Sequence, residues 1–166
     1  MRYDDVFQRV IGHEGGYVND PRDAGGETKF GISKRAYPNE DIKNLTLERA
    51  KEIYKADFWD RIRGNDLPAP IDEFLFDYAV NSGVELAAKA LQRAIGALPD
   101  GSIGPVTLST LRQRSVGTVL RLLFVDRAMT FAGQSREELE RFGHGWFGRL
   151  YNITVCSAMT LGGRTQ

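Results

Sequence analysis

The sequence predicts a mainly α-helical protein with at most one small β-hairpin. Apolar residues recur at i, i+3 and i+4 spacing through most of the chain, which is the pattern of amphipathic helices. Glycine and proline divide these periodic stretches into segments of helical length. Alternation of apolar and polar residues is nowhere long enough for a larger sheet, so only a hairpin near residues 17–30 is expected.

The first third of the chain contains three predicted helices, and a long loop follows the first of them. A helix is expected over residues 3–13, because apolar side chains recur four apart and two aspartates occupy its first turn. Residues 15–31 are rich in Gly, Asn, Asp and Pro, and a loop of that length is usually functional. A brief helix is expected over residues 33–37. Thr46 is the predicted N-cap of a helix whose apolar stripe covers residues 47–58.

Five further helices are predicted in the rest of the chain, each bounded by turn-forming residues. Their expected ranges are 71–81, 84–95, 105–114, 116–131 and 146–159.

Composition excludes several classes of protein. Of the 166 residues, 42% are hydrophobic and 27% charged, a mixture typical of one folded domain with or without a small appendage. No apolar run approaches the roughly 20 residues that a membrane-spanning helix needs. The acidic N-terminus predicts no secretory signal, so we expect synthesis in the cytoplasm. A lone cysteine, Cys156, excludes an internal disulfide and suits a reducing compartment.

The 22 basic residues balance the 22 acidic ones, which argues against a dedicated nucleic-acid-binding protein. The charges are unevenly placed, however. Residues 1–100 carry an acidic excess, whereas residues 101–166 carry a basic excess supplied only by arginine. A solvated surface explains this distribution most simply. The functional interpretation is that the C-terminal part approaches an anionic polymer.

Glu14 is the first candidate catalytic residue. It falls at the C-terminal end of the first predicted helix, where the helix dipole disfavours a carboxylate and favours its protonated form. Burial beside Tyr17 and Val18 would act in the same direction. A carboxyl group that stays protonated near neutral pH can serve as a general acid. The alternative is an ordinary solvated glutamate.

Two more acids and a hydroxyl follow Glu14 across the glycine-rich loop. Cleavage of a glycosidic bond commonly uses two carboxyl groups, one to protonate the leaving oxygen and one to assist on the other side of the sugar ring. Asp23 or Asp20 is the candidate for the second carboxylate, and Thr28 is the candidate to hold the attacking water. Both aspartates are equally well explained as residues that stabilise turns.

A metal site is a minor alternative. Asn19, Asp20, Asp23 and Glu27 supply oxygen atoms around two glycines, but their register does not fit an EF-hand loop. The chain has two histidines and one cysteine, too few for a typical zinc site. We therefore expect no metal and no cofactor.

The segment after the first helix resembles the signature of glycoside hydrolase family 108. The residues that carry the resemblance are Glu14-Gly15-Gly16-Tyr17, Asn19-Asp20-Pro21, Asp23, Gly25-Gly26, Thr28 and Gly31-Ile32. Members of this family are N-acetylmuramidases, found as bacteriophage endolysins and in bacterial proteins once called secretion activators. The resemblance implies a lysozyme-like helical fold that cleaves the β-1,4 bond between N-acetylmuramic acid and N-acetylglucosamine, with Glu14 as the catalytic acid.

A looser similarity to the Glu-Asp-Thr triad of phage-type lysozymes implies that Asp23 and Thr28 take the other two catalytic roles, with Asp20 as the alternative to Asp23. Residues 76–83 resemble the central helix of the family, which implies that Asn81 lies near the sugar cleft. A helix C-terminus, with Asn shortly before Gly83, explains the same residues equally well. The substrate-binding residues expected from the resemblance are Tyr17, Asn19, Asp20, Tyr78 and Asn81.

The second half of the chain resembles a peptidoglycan-binding module. The resemblance is carried by Leu91-Gln92-Arg93-Ala94, by Asp100-Gly101-Ser102-Ile103-Gly104-Pro105-Val106-Thr107 and by Phe142-Gly143-His144-Gly145-Trp146-Phe147-Gly148-Arg149. It implies a catalytic domain over residues 1–95, a helical module over 96–160 that packs on it, and a tail over 161–166. Structural packing alone accounts for much of this segment.

The function expected from these observations is hydrolysis of peptidoglycan glycan strands by a monomer that neither inserts into membranes nor binds nucleic acid. The enzyme would act at the bacterial cell wall or periplasm, as an endolysin released through a holin-type pore. Two alternatives remain open at this point: a lytic transglycosylase, and a non-catalytic wall-binding protein.

Overall fold

Helices account for most of the chain in the computed structural model, which describes residues 2–11, 16–19 and 26–162. The described residues include seven α-helices and a single two-stranded antiparallel hairpin, so the mainly α prediction is confirmed. Among these helices, none is both long enough and apolar enough to cross a bilayer. The helices are α1 Arg2–Val10, α2 Leu47–Tyr54, α3 Ile71–Ser82, α4 Val84–Ile95, α5 Pro105–Arg112, α6 Val116–Ala132 and α7 Arg136–Gly162, and the strands are β1 Thr28–Lys29 and β2 Ile32–Ser33.

The chain forms two compact units, residues 1–57 and 58–166. In the first unit, α1 buries Val6 and Phe7 completely. The Phe7 ring packs edge-on against Tyr54 of α2, with centroids 5.8 Å apart. The Tyr3 hydroxyl donates a hydrogen bond to the Lys51 carbonyl at 2.7 Å. Aromatic packing therefore joins α1 to α2 around the segment that carries the hairpin.

Local chemistry explains the helix starts and turns of the first unit. The Thr46 side chain accepts a hydrogen bond from the Arg49 amide at 3.1 Å, which confirms the predicted N-cap. The brief helix predicted over residues 33–37 is wrong. Ser33 lies in β2, where pairing with Thr28 holds it extended. Its side chain accepts from the Ala36 amide at 3.3 Å, so the residues that follow form turns.

After α2 the chain continues as a π-helical turn, Lys55–Trp59, and then a 3₁₀ turn, Gly64–Asp66. Trp59 is fully buried and donates from Nε1 to Asn65 Oδ1 at 3.0 Å. A Cβ atom at Gly64 would overlap the Trp59 ring, so glycine is required there.

The core of the second unit is built from α3, α4, α6 and α7. The prediction for α3 is confirmed to within one residue, and the predicted bounds of α4 match the observed ones. Leu91 and Ile95 of α4 are buried as the periodicity predicts, and α4 packs on both α3 and α6. Because α3 also contacts α6 and α7, its residues from Ile71 to Ala79 are buried all round.

Gln92 organises the turn between α4 and α5. This buried side chain donates from Nε2 to Asp100 Oδ1 at 2.6 Å and to the Ser102 carbonyl at 3.0 Å. Its Oε1 accepts from the Gly101 amide at 2.9 Å. Gly101 has φ +82°, a conformation that favours glycine. Part of the motif that resembles a wall-binding module therefore forms a structural turn, which is held by hydrogen bonds within the protein.

Helix α7 starts ten residues before the predicted position of 146, so that boundary is wrong. Three glycines between residues 143 and 148 lower helical propensity and favour a loop when the sequence is considered alone. A capping box starts the helix instead. The Ser135 amide donates to Glu138 Oε2 at 3.0 Å, and the Glu138 amide donates to Ser135 Oγ at 3.3 Å.

Candidate active site

The hairpin gives the candidate site its fixed framework. Thr28 pairs with Ser33 and Lys29 with Ile32, so Phe30 and Gly31 form the turn. Their φ angles are +52° and +75°, as a type I′ turn requires. The Tyr54 hydroxyl donates to the Phe30 carbonyl at 3.0 Å.

Gly31 has no room for a side chain. A Cβ atom there would lie 2.6 Å from the Tyr54 hydroxyl oxygen. Glycine at this position of the motif therefore allows the hairpin turn to approach α2 closely.

A third segment pairs with the hairpin at Thr28. The Val18 amide donates to the Thr28 carbonyl at 2.9 Å, and the Thr28 amide donates to the Val18 carbonyl at 2.8 Å. Thr28 is thus paired on one side with Val18 and on the other with Ser33. Its backbone is held in the centre of a small antiparallel arrangement, which fixes the direction of its side chain.

This register divides the predicted site residues between two faces. Side chains alternate along an extended strand, so Thr28 and Val18 share one face. Tyr17, Asn19 and Glu27 are each one residue removed from the pair and share the opposite face. Thr28, predicted to be catalytic, therefore lies near Tyr17 and Asn19, which are predicted to bind substrate. At this bridge, however, its side chain points to the opposite face from theirs.

Tyr17 and Glu27 form a polar contact on the face of the bridge opposite Thr28 and Val18. The Tyr17 hydroxyl donates to Glu27 Oε1 at 2.7 Å, and the Tyr17 side chain is 38% exposed. Glu27 raises the pKa of Tyr17 above its usual value, chiefly by accepting this hydrogen bond, while a hydrogen bond with Asn19 acts in the opposite direction. These three residues form one hydrogen-bonded group on the face of the bridge opposite Thr28.

The Thr28 hydroxyl is weakly engaged. It donates to the Gly26 carbonyl at 3.3 Å, and the residue is half-buried. Among the described residues this long hydrogen bond is the one that the hydroxyl makes, and it leaves the oxygen with unused capacity to accept. The hydroxyl can therefore bind a water molecule or a substrate group with little reorganisation.

The candidate carboxyl groups themselves, Glu14, Asp20 and Asp23, lie outside the described residues. In the sequence, Glu14 lies between the described residues Ile11 and Gly16. Asp20 and Asp23 lie between the described residues Asn19 and Gly26. The roles predicted for these three acids stay predictions.

The two predicted substrate-binding residues of α3 differ in accessibility. Asn81 is exposed near the end of the helix. Tyr78 is 1% exposed, and its hydroxyl donates to Asp126 Oδ2 at 3.2 Å. Burial raises the pKa of the Tyr78 hydroxyl. The Arg127 guanidinium lies over its ring at 5.0 Å, so the side chain is enclosed on several sides.

The sequence analysis did not predict a cluster of charged residues beside Tyr78, formed by Asp77 and two arginines. Asp77 is buried and accepts from Arg127 Nη1 at 2.6 Å and from Arg149 Nε at 2.8 Å. The cluster connects α3, α6 and α7. The available signal for such a cluster is a charged residue at a helix position flanked by residues that are predicted to be buried, as Asp77 is, because a buried charge needs partners.

Within the part of the chain that the structure describes, no three His, Cys, Asp or Glu side chains come together as a metal site.

The comparisons with known proteins agree with the resemblance of the hairpin segment. The model of the family described as glycosyl hydrolase 108 matches residues 7–83. The solved structure of Brucella abortus SagA is 30% identical to this chain, with a TM-score of 0.84. The similarity covers 96% of this chain and 95% of the SagA chain. No curated protein sequence matches.

The family match begins in α1, includes the hairpin and ends at the C-terminus of α3. It therefore contains every residue that the sequence nominates for catalysis or substrate binding. The similarity to SagA extends over both compact units. This chain belongs to the glycosyl hydrolase 108 family and is accordingly a glycoside hydrolase of a type that acts on peptidoglycan.

Proposed function

We propose that this protein is an N-acetylmuramidase that cleaves the β-1,4 bond between N-acetylmuramic acid and N-acetylglucosamine, with Glu14 as the general acid. The observation that supports the proposal most directly is the family match over residues 7–83, which contains the whole Glu14-to-Ile32 motif. In the sequence, Glu14 lies four residues after Val10, the last residue of α1, whereas the sequence analysis predicts this helix to continue to residue 13. A protonated acid is what the leaving glycosidic oxygen needs.

The second carboxylate is Asp23 or Asp20, which assists on the opposite side of the sugar ring either directly or through a water molecule. Thr28 holds that water. The support for Thr28 is its geometry: the backbone is paired on both sides, and the hydroxyl is committed to a single 3.3 Å hydrogen bond. No cofactor is needed, since the reaction requires proton donation and a negative charge near the cationic transition state.

Substrate contacts are proposed for residues of the hairpin segment and, separately, for residues of α3. Tyr17 and Asn19 offer an exposed aromatic ring and an amide on the face that also carries Glu27. Asp20 and the exposed Asn81 are further candidates. Tyr78 would act by holding α3 in place against α6 and not by touching the sugar, because its ring and hydroxyl are enclosed by Arg127 and Asp126.

The functional division we propose assigns catalysis to residues 1–95 and wall binding to residues 96–160, with a tail over residues 161–166. The support is a set of exposed aromatic side chains that lie on more than one face of α7. Phe142 and Trp146 stack with ring centroids 5.7 Å apart, and Phe142, Phe147 and Tyr151 are 44%, 42% and 68% exposed. Exposed aromatic rings present flat apolar faces of the kind that sugar rings can cover.

The biological role we propose is that of a phage endolysin, a monomer made in the cytoplasm that reaches the wall after holin-type release. Its partner is the glycan strand of peptidoglycan.

Product analysis tests the reaction. Purified peptidoglycan is digested with the full chain, and the fragments are analysed by mass spectrometry. Hydrolysis produces muramic acid with a free reducing end. A lytic transglycosylase would leave the 1,6-anhydro form, and binding without any released fragment would indicate a non-catalytic wall protein. Either of these two results would contradict the proposal.

A further inference from the structure

Ser33 lies directly opposite Thr28 in the hairpin. Thr28 uses both its amide and its carbonyl in hydrogen bonds with Val18. In an extended strand these two groups of one residue point to the same side, so Thr28 has neither left for Ser33. Thr28 and Ser33 are therefore a non-hydrogen-bonded pair. Side chains are closest in this kind of antiparallel pair, with Cβ atoms roughly 4.5–5.5 Å apart.

The face that carries these two hydroxyls is open to solvent. Residues paired directly across antiparallel strands share a face, so Thr28 and Ser33 point the same way as Val18. Val18 is 53% exposed, and Thr28 and Ser33 are half-buried. The hydrogen-bonded side chains of Tyr17 and Glu27 lie on the opposite face. The face of Thr28 and Ser33 is therefore accessible to water.

The two hydroxyls have complementary hydrogen-bonding capacity left. Thr28 donates its proton to the Gly26 carbonyl, so its oxygen can still accept. Ser33 accepts from the Ala36 amide, so its proton can still be donated. Among the residues that the structure describes, neither hydroxyl makes a second hydrogen bond, and the two do not bond to each other. One acceptor and one donor, side by side, are suitable partners for a single water molecule.

We infer that Ser33 is a second hydroxyl that holds the attacking water, together with Thr28, an inference that rests on the proposed function. A water molecule about 2.8 Å from each oxygen bridges hydroxyls up to roughly 5.5 Å apart, which matches the spacing of such a pair. The water donates one proton to Thr28 Oγ1 and accepts the proton of Ser33. Its second proton and its second lone pair stay free for the reaction.

This arrangement orients the water for the proposed reaction. Its free lone pair forms the new bond to the anomeric carbon as the glycosidic bond to the leaving oxygen breaks. Glu14 gives its proton to that leaving oxygen, and the second carboxylate, Asp23 or Asp20, receives the free proton of the water. Ser33 therefore contacts a reactant. Loss of its hydroxyl should lower the reaction rate and leave substrate binding unchanged.

Ser33→Ala tests the inference in the full chain. The rate of reducing-end release at saturating purified peptidoglycan should fall about three- to tenfold, as expected for one neutral hydrogen bond, while co-sedimentation with peptidoglycan stays unchanged. The variant also loses the turn bond to Ala36. The matched control, Thr46→Ala, removes a hydroxyl that accepts from the Arg49 amide in the same way, outside the hairpin. It should lower the melting temperature and leave the rate unchanged.

A second pair of variants separates the hydroxyl from the shape of the side chain. Threonine and valine have nearly the same shape and both favour an extended strand. Ser33→Thr should keep most of the wild-type rate, whereas Ser33→Val should lose about three- to tenfold. If Ser33→Ala does not fold, as judged by circular dichroism, this pair decides the question.

A double variant tests whether the two hydroxyls hold the same water. Thr28→Val and Ser33→Ala are made separately and together. Each single change already disturbs the shared water, so the double variant should lose less rate than the product of the two single losses.

Several results would overturn the inference and leave the proposed function standing. These are a wild-type rate in folded Ser33→Ala or Ser33→Val, equal rate losses in Ser33→Ala and Thr46→Ala, a loss of peptidoglycan co-sedimentation in Ser33→Ala, and single losses that multiply in the double variant. Absence of reducing-end release by the wild-type protein would instead overturn the proposed function, and the inference with it.

Discussion

The hairpin segment of residues 1–57 and the helical body of residues 58–166 are stabilised in different ways. The hairpin is held by a few backbone hydrogen bonds, and of its four strand residues only Ile32 is buried. In α3, by contrast, nine consecutive residues from Ile71 to Ala79 are buried. Apolar burial makes the helical body insensitive to the identity of exposed residues, whereas the hairpin depends on individual glycines and hydrogen bonds. Thr28, the candidate catalytic residue that the structure describes, lies in the region with less burial, as is usual for functional segments.

The largest effect on stability is expected when the buried charge cluster of the helical body is broken. Asp77→Ala leaves Arg127 buried without its carboxylate, which should lower the free energy of unfolding by about 3–5 kcal/mol. Urea denaturation measures this change. The control Glu140→Ala breaks the highly exposed Arg136–Glu140 pair and should have no measurable effect. If both variants unfold at the wild-type midpoint, the cluster does not stabilise the helical body.

A large effect on activity without loss of stability is expected for the second carboxylate beside the hairpin. Asp23→Asn should lower the rate of peptidoglycan lysis by about 10²-fold, because a charge near the cationic transition state is removed. Glu27→Gln should retain most of the rate, since Glu27 bonds to Tyr17 on the face opposite Thr28. Equal losses in the two variants would exclude Asp23 from the mechanism, and a loss in Asp20→Asn alone would transfer the role to Asp20.

A smaller effect is expected from the hairpin turn. Gly31→Ala combines a positive φ with a Cβ position 2.6 Å from the Tyr54 hydroxyl, and should cost about 2–3 kcal/mol in unfolding free energy. The matched control is Gly26→Ala, where φ is +69° but no heavy atom of the described residues lies within 4 Å, and the cost should be about 1–2 kcal/mol. Thermal unfolding of the two variants measures the difference. Equal costs would show that contact with Tyr54 does not constrain the turn.

The smallest effect is expected at the turn that Gln92 organises. Hydrogen bonds from Gln92 and from the Ser102 amide lower the pKa of Asp100 below its usual value of 3.8. Because the folded-state pKa is the lower one, Asp100 contributes stability above the unfolded-state pKa and loses that contribution as the pH falls through the folded-state value. The melting temperature of Asp100→Asn should therefore lie slightly below wild type at pH 6 and approach it near pH 3. A difference independent of pH would contradict this account.

The helical body could be predicted closely from the sequence, because its elements depend on local periodicity and punctuation. The α3 and α4 helices follow their apolar spacing and the glycine between them. Helix α7 shows the limit of such reasoning. Glycines within it suggested a loop, whereas a capping box at Ser135 and packing against α6 determine where it starts.

The candidate site could be predicted only in part. A dense local motif identifies the candidate residues. Which of their side chains share a face depends on the register that pairs Val18 with Thr28, ten residues away in the chain. A shift by one residue would exchange the two faces, so sequence spacing could not reveal that Tyr17 bonds to Glu27 or that Thr28 points away from both. The Asp77 cluster was missed for a similar reason, since Arg127 lies fifty residues away in the chain.

The proposed mechanism depends most on proton donation by Glu14, and Glu14→Gln tests it directly. The variant replaces the acid by an amide of nearly the same shape, so the far-UV circular dichroism and the melting temperature should match wild type. The initial rate of lysis of chloroform-treated Gram-negative cells should fall by about 10²–10⁴-fold, the contribution typical of a general acid. A folded Glu14→Gln variant that lyses these cells at the wild-type rate would contradict the mechanism.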